Sequence, residues 1–305
     1  MVTHVVDDLE NLIRQDVLTE LGPDPSGEIE SLTFREILTL YGTWRSRLIS
    51  PAPRSSHLSS ELLASAEYST HRSVVDAIVE KSRLGRDLKP HQSRRINTIH
   101  LPTAARPSKR RDRRDLDLLV SEWGIQHLHL STTLDRNGLV VGTRELLFAV
   151  FRPQDAFFIG IYGHEWTNEE FVRICVRNWP SAQLFHEATF STSLANPIRS
   201  GDREPLRNAG VTTFLQVDGH VYMPPGQTLS GSPLSSARKS MQIVASLTDF
   251  RNSLTAAPER IVEQLAATGV TVEAEQNWVA AKRGRRYGFV DTVSRGFLPV
   301  VTLLD

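Results

Sequence analysis

One cysteine, Cys175, occurs in 305 residues, which excludes an internal disulfide framework and any Cys-x-x-Cys metal or redox pair. No apolar run approaches the roughly 20 residues needed to span a bilayer. The opening "MVTHVVDDLENLIRQDV" is acidic and amphipathic, unlike a secretory signal or an Arg-rich transit peptide. These features lead us to expect a cytoplasmic chain with no membrane partner. Net charge is zero, so no global field marks the partner. H-E-x-x-H and phosphate-loop motifs are missing, as are helix-turn-helix, zinc-finger and RNP signatures. "GQTLSGS" (226–232) lacks the Gly-Lys-Ser/Thr ending and reads as a turn. No internal repeat or low-complexity tract occurs, and nothing calls for a cofactor.

The zero net charge conceals an uneven distribution. Residues 1–30 carry eight acids against one base, whereas residues 40–115 carry sixteen Lys and Arg against seven acids. That separation suggests an anionic partner for the basic stretch, or an acidic arm packing on a basic surface of the same molecule.

The chain is about twice the length of a typical domain. Helical periodicity over 1–22, "SLTFREILTLYGTWRSRLI" and "SSELLASAEYSTHRSVVDAIVEKSRLG" predicts an N-terminal helical domain with a basic connector, residues 1–105. The prolines of "SPAPRSS" separate the last two helices. In 106–200 the period changes. "IQHLHLS" (125–131), "RELLFAVF" (144–151) and "AFFIGIYGH" (156–164) predict a central antiparallel β-meander flanked by helices. The following helix carries a Thr167/Glu170 capping-box pattern. Residues 201–305 predict a C-terminal α+β domain, with a hairpin at Asp218-Gly219, a long helix and several closing strands. The class is α+β.

Strand parity supplies the candidate site. His127, His129 and Ser131 alternate with Leu128 and Leu130, and Gly160, Tyr162 and His164 alternate with Phe157, Ile159 and Ile161. A half-buried meander would gather three histidines and a tyrosine on one polar face, with Arg144 at the entrance of the second strand. Histidine exchanges protons near neutral pH, and a pair of them can serve as base and acid. RNA cleavage through its own 2′-hydroxyl needs those two groups and a cation on the phosphorane. The same His-x-His spacing also suits a transition metal, with His164, His186 or Glu187 as third ligand, but no second ligand motif accompanies it. "HLS" (129–131) matches one His-x-Ser/Thr element of two-histidine phosphoesterases, and the second copy is absent.

Basic clusters supply candidate nucleic-acid contacts. Lys109, Arg110, Arg111, Arg113 and Arg114 precede the meander. Lys282, Arg283, Arg285 and Arg286 interleave with Tyr287 and Phe289. Basic groups neutralise phosphates and aromatic rings stack on bases.

The order of a basic helix, a His-bearing meander with an arginine, and a capping helix over residues 105–180 resembles the small prokaryotic toxin ribonucleases of the RelE/ParE type. That resemblance implies metal-independent RNA cleavage in a toxin or defence setting, with His127, His129, Arg144, Tyr162 and His164 as site candidates by residue type. The chain departs from it in its large flanking regions and its richness in histidine. The leading expectation is therefore an endoribonuclease in which His127 and His129 exchange protons. The N-terminal helices would contact a partner or restrain the sheet. Two alternatives stand beside it: a non-enzymatic nucleic-acid- or protein-binding adaptor, and a metal-dependent hydrolase using the His-x-His strand.

Overall fold

Val6, Leu9, Ile13, Val17 and Leu21 recur at helical spacing and are all buried, so Val2–Leu21 forms an amphipathic helix, α1. The computed structural model describes residues 2–22, 27–97, 117–191, 193–196, 198–256, 259, 263, 266, 278–293 and 295–303, apart from the side chains of 2–4 and 200. After α1 come α2 (Phe34–Arg45), β1 (Ser55–Leu58), α3 (Ser60–Ala64), α4 (Ala66–Arg83) and the 3-10 turns Lys89–His91 and Arg94–Asn97. They are followed by α5 (Leu118–Trp123), β2 (Ile125–His129), β3 (Leu146–Phe151), β4 (Asp155–Tyr162) and α6 (Glu170–Asn178). The remainder is β5 (His186–Glu187), α7 (Ser200–Asn208), β6 (Leu215–Val217), β7 (His220–Met223), α8 (Leu234–Ala256), β8 (Trp278–Arg283), β9 (Arg286–Asp291) and β10 (Phe297–Thr302). The protein is α+β. No helix among the described residues is long and apolar enough to cross a membrane.

The chain divides into two compact units, residues 1–42 with 236–305, and residues 43–235. This grouping differs from three consecutive stretches at 1–105, 106–200 and 201–305, because it joins the two ends of the chain. In the first unit α1 packs on β8 and β9, within an antiparallel sheet of order β10-β9-β8. Thr33 opens α2 with a capping box: its hydroxyl accepts from Glu36 N–H, and Glu36 Oε2 accepts from Thr33 N–H at 2.9 Å.

The second unit is built on a four-stranded sheet of order β1-β4-β3-β2. Strands β2, β3 and β4 form the expected antiparallel meander. The fourth strand, β1, lies where the prolines promised only a break, and it runs parallel to β4 from Ser55↔Asp155 to Leu58↔Phe158. The helix α2 ends earlier, at Arg45, and Pro51 and Pro53 keep the segment leading into β1 extended. The helix expected to run on from Ser59 or Ser60 to Gly85 is instead two helices, because Ser65 is extended and its hydroxyl accepts from Tyr68 N–H. Gly85 then closes α4 in a Schellman motif, with Arg86 N–H on Lys81 C=O and Gly85 N–H on Ser82 C=O. A Cβ at Gly85 would stand 2.6 Å from the Pro53 nitrogen, so the helix end and the lead into β1 fit only with glycine there.

Both faces of this sheet are covered. Leu128, Leu147, Ala149, Phe158 and Ile161 pack with Val75 and Ile78 of α4. Ile125, Leu146, Phe148, Val150, Phe157 and Ile159 pack with Phe171, Ile174 and Cys175 of α6 and with Trp123 of α5. Each fully buried side chain of this size contributes about 1.5–3 kcal/mol. The capping box expected at Thr167/Glu170 is absent; Asn168 Oδ1 accepts from Glu170 N–H at 2.9 Å instead. Beyond α6, a smaller sheet of order β5-β7-β6 contains the expected Asp218-Gly219 hairpin turn, both residues at positive φ.

Candidate functional site

Three rows of residues cross the meander on the side of α6. They read Ile125–Val150–Phe157, His127–Phe148–Gly160 and His129–Leu146–Tyr162. Between the first two rows the register of β3 on β4 shifts by one residue, leaving Ile159 as a bulge. The bulge turns Phe157 and Ile159 into the same core as Phe148, whereas Phe158 and Ile161 join the opposite one. Strict alternation had put Phe157 and Ile159 opposite Tyr162. The open polar face expected from parity is therefore replaced by a packed core with histidines at its β2 edge.

His127 is 7% exposed. Its ring meets Trp166 at 4.9 Å, Phe148 at 6.4 Å and His129 at 6.1 Å between centroids. His164, exposed in the loop after β4, packs edge-on against the same Trp166 at 5.4 Å. Trp166 thus joins two of the three histidines, and strand spacing joins the third. Tyr162 ends β4 with its ring folded over Gly160, where a Cβ would lie 2.5 Å from Tyr162 Cε2. Burial, then the carboxylates of Glu170, Glu61, Glu165 and Glu67, push its hydroxyl up to about 12, so it keeps its proton at neutral pH. Arg144 stands in an exposed bend two residues before β3, outside the strand it was expected to enter. Among the described residues it has no ion-pair partner.

The two strand histidines have opposite surroundings. The backbone N–H of Thr143 donates to His129 Nδ1 at 3.1 Å, so the neutral ring carries its proton on Nε2. Burial, followed by the charges of His127, His164, Arg94 and His91, brings its pKa down to about 4. His129 is therefore a neutral hydrogen-bond donor at pH 7 and has no second nitrogen free to accept. His127 instead turns Nδ1 toward Asp117 Oδ2 at 3.4 Å, close enough for an ion pair but outside hydrogen-bond geometry. Burial lowers its pKa, Asp117 opposes that shift, and Arg95 and His164 reinforce it. The nearby positive charge thus comes from Arg94 and Arg95, in a 3-10 turn that had read as irregular connector. His91 lies just behind: its Nδ1–H donates to His129 C=O at 3.0 Å, and its Nε2 accepts from the Lys81 ammonium at 3.2 Å. Both its nitrogens are used, which makes it a structural histidine.

Asp117 begins the site. Its Oδ1 accepts from Val120 N–H at 3.2 Å and caps α5, which delivers Glu122 and Trp123 to the interior. Glu122, fully buried, pairs with Arg207 of α7, and Arg207 also donates to the carbonyl of Trp166. The Arg207 guanidinium lies 4.4 Å from the Trp123 ring centroid. Arg203, one turn earlier, pairs with Glu169 at 2.6 Å and donates to Thr213. No helix is expected at 200–208 from the sequence, and these two arginines are not among the expected site residues; Pro205 lies inside the helix. The available signals were an Asp at a helix start and Arg at i, i+4.

The remaining candidates separate. Lys109, Arg110, Arg111, Arg113 and Arg114 lie outside the described residues. In the other unit, Lys282 pairs with Asp16 at 2.6 Å, and Arg285 with Glu20 at 3.4 Å and Tyr41 Oη at 2.7 Å. Arg283 lies over the Phe297 ring, and Arg286 is exposed at the start of β9. The acidic helix α1 thus compensates part of this cluster. His186 and Glu187, considered as metal ligands, form β5 and are exposed. No three His, Cys, Asp or Glu side chains converge on a metal-holding position among the described residues. No family model, curated protein or solved structure matches the chain.

Proposed function

We propose that the 43–235 unit cleaves RNA as a metal-independent endoribonuclease, using its histidines for proton transfer. The observation that carries the reading is the complementary setting of adjacent imidazoles. His127 presents Nδ1 to a buried carboxylate, which leaves Nε2 to accept a proton, while His129 is held as an Nε2–H donor. In this reading His127 Nε2 takes the 2′-hydroxyl proton as O2′ bonds to phosphorus. The P–O5′ bond breaks, and O5′ takes a proton from His164. His129 Nε2–H and the Arg95 charge stabilise the phosphorane oxygens, the role first expected of Arg144. The products are a 2′,3′-cyclic phosphate and a 5′-hydroxyl, and solvent returns both histidines to their starting states. Arg144 is left to contact the RNA backbone away from the scissile phosphate.

End-labelled RNA incubated with the full chain in EDTA tests this. Cleavage is expected, together with its loss when a 2′-deoxynucleotide occupies the scissile position. His127→Ala should reduce the rate about 10²- to 10⁴-fold. Cleavage abolished by EDTA would move the chemistry to a metal. Salt-sensitive binding without cleavage would make the chain an RNA-binding adaptor.

A further inference from the structure

We infer that Asp117 is a positioning residue that fixes the His127 ring with its proton on Nδ1, while the same carboxylate caps α5. The inference builds on the proposed proton transfer, but the geometry behind it does not depend on RNA.

The two oxygens of Asp117 do different work. Oδ1 is taken by Val120 N–H, which anchors the carboxylate to the first turn of α5. Oδ2 is left facing His127 Nδ1, a buried nitrogen with no hydrogen-bond partner among the described residues. A buried imidazole with an orphaned nitrogen is unfavourable, and a carboxylate beside that nitrogen favours the Nδ1–H tautomer. A small closure or turn of the ring brings the pair into hydrogen-bond geometry. Such slack is common in unliganded sites.

The elements packed around His127 bring few other charges. Arg95 comes from the second 3-10 turn, His129 from β2, and His164 from the loop after β4. All three are bases, so among the described residues Asp117 is the carboxylate whose charge acts on the ring. The charge of Asp117 also reaches Arg207. Arg207 in turn holds the Trp166 carbonyl, and the Trp166 ring covers His127. Carboxylate, imidazole and the indole over it therefore belong to one connected arrangement, in which Asp117 sets the tautomer and Arg207 secures the cover.

The test is Asp117→Asn in the full chain. Asparagine caps helices as well as aspartate does, so α5 should persist while the charge on Oδ2 is lost. Asp117→Ser, a second capping residue with no carboxylate, guards against an Asn-specific effect. With ¹⁵N-labelled histidine, and His127 assigned by its loss in His127→Asn, the wild type should show the Nδ1–H tautomer. Both variants should shift toward Nε2–H and titrate about one pH unit lower. If the wild type cleaves RNA, Asp117→Asn should lose about 10²-fold or more in kcat with KM little changed. A His127 tautomer and titration that do not change in either variant would overturn the inference. A wild type that cleaves nothing yet shows the tautomer change would remove the proposed function and leave the positioning role standing.

Discussion

Among the described residues the two units differ in how deeply their most buried charge pairs are set. In residues 1–42 with 236–305, acids of α1 meet bases near the surface: Lys282 and Asp16 are 38% and 27% exposed. In residues 43–235 the principal pair is interior, with Arg207 and Glu122 at 3% and 0%. Near-surface pairs contribute about 0–1 kcal/mol and are screened by salt. An interior pair adds little net stability when intact, but loss of one member leaves an uncompensated buried charge. The first arrangement tolerates change, and the second enforces a single geometry around the histidines.

The largest break in that contrast should come from Arg207→Met. It strands the fully buried Glu122 carboxylate and frees the Trp166 carbonyl. Urea denaturation should show a loss of about 3–5 kcal/mol. Adding Glu122→Gln in the same chain should restore a substantial part of it. Recovery of nothing would mean that the pair is not the source of the loss.

Acid should reach the two units at different pH. His91, His127 and His129 all have lowered pKa values, that of His129 at about 4. Between about 6.5 and that value the unfolded chain binds a proton that the folded unit does not, so stability falls as pH falls through this window. A shift of that size on a fully buried group is about 3 kcal/mol; partial exposure of His129 reduces it to about 1–2 kcal/mol. Asp16 works in the same direction but in a lower pH window. Burial raises its pKa, but hydrogen bonds from Lys282 and Tyr287 outweigh that and hold it below the usual carboxylate range. Its contribution persists down to about pH 4 and is lost below. Fluorescence-detected denaturation from pH 7 to 4 distinguishes them, since Trp44, Trp123, Trp166 and Trp179 report on the 43–235 unit and Trp278 on the other. Destabilisation of both units over the same pH range would contradict the contrast.

The smallest effect belongs to Lys282→Ala. It should cost under about 1 kcal/mol at low salt and nothing measurable in 0.5 M NaCl. A loss comparable to that of Arg207→Met would show that the surface pairing also enforces geometry.

What could be read from the sequence were features with a local signature. Alternating apolar strands gave the meander, Asp218-Gly219 gave the hairpin, and the α1 stripe gave its helix. Three features had none. The extra residue at Ile159 reverses parity without altering composition, so Phe157 was placed on the wrong face. Parallel pairing of Ser55–Leu58 is decided by β4, far along the chain. The helix α7 contains Pro205, an unfavourable interior residue, and it carries the arginine that holds the Trp166 carbonyl. At the site, the histidines were visible as residue types, but the hydrogen bond from Thr143 and the carboxylate of Asp117 assign their nitrogens different tasks. Those partners come from other segments, and a strand pattern says nothing about them.

The parallel strand also sets an order of assembly. Ser55 pairs with Asp155, one hundred positions later, so it is the least local strand pairing among the described residues and closes late for entropic reasons. On a ribosome adding about 5–20 residues per second, β1 is made roughly 5–20 s before its partner. Until the two meet, the backbone edge of β4 is unpaired and open to other chains. The meander must therefore form first and wait with a sticky edge, and slow docking of β1 is where crowding and heat would divert newly made protein into aggregates.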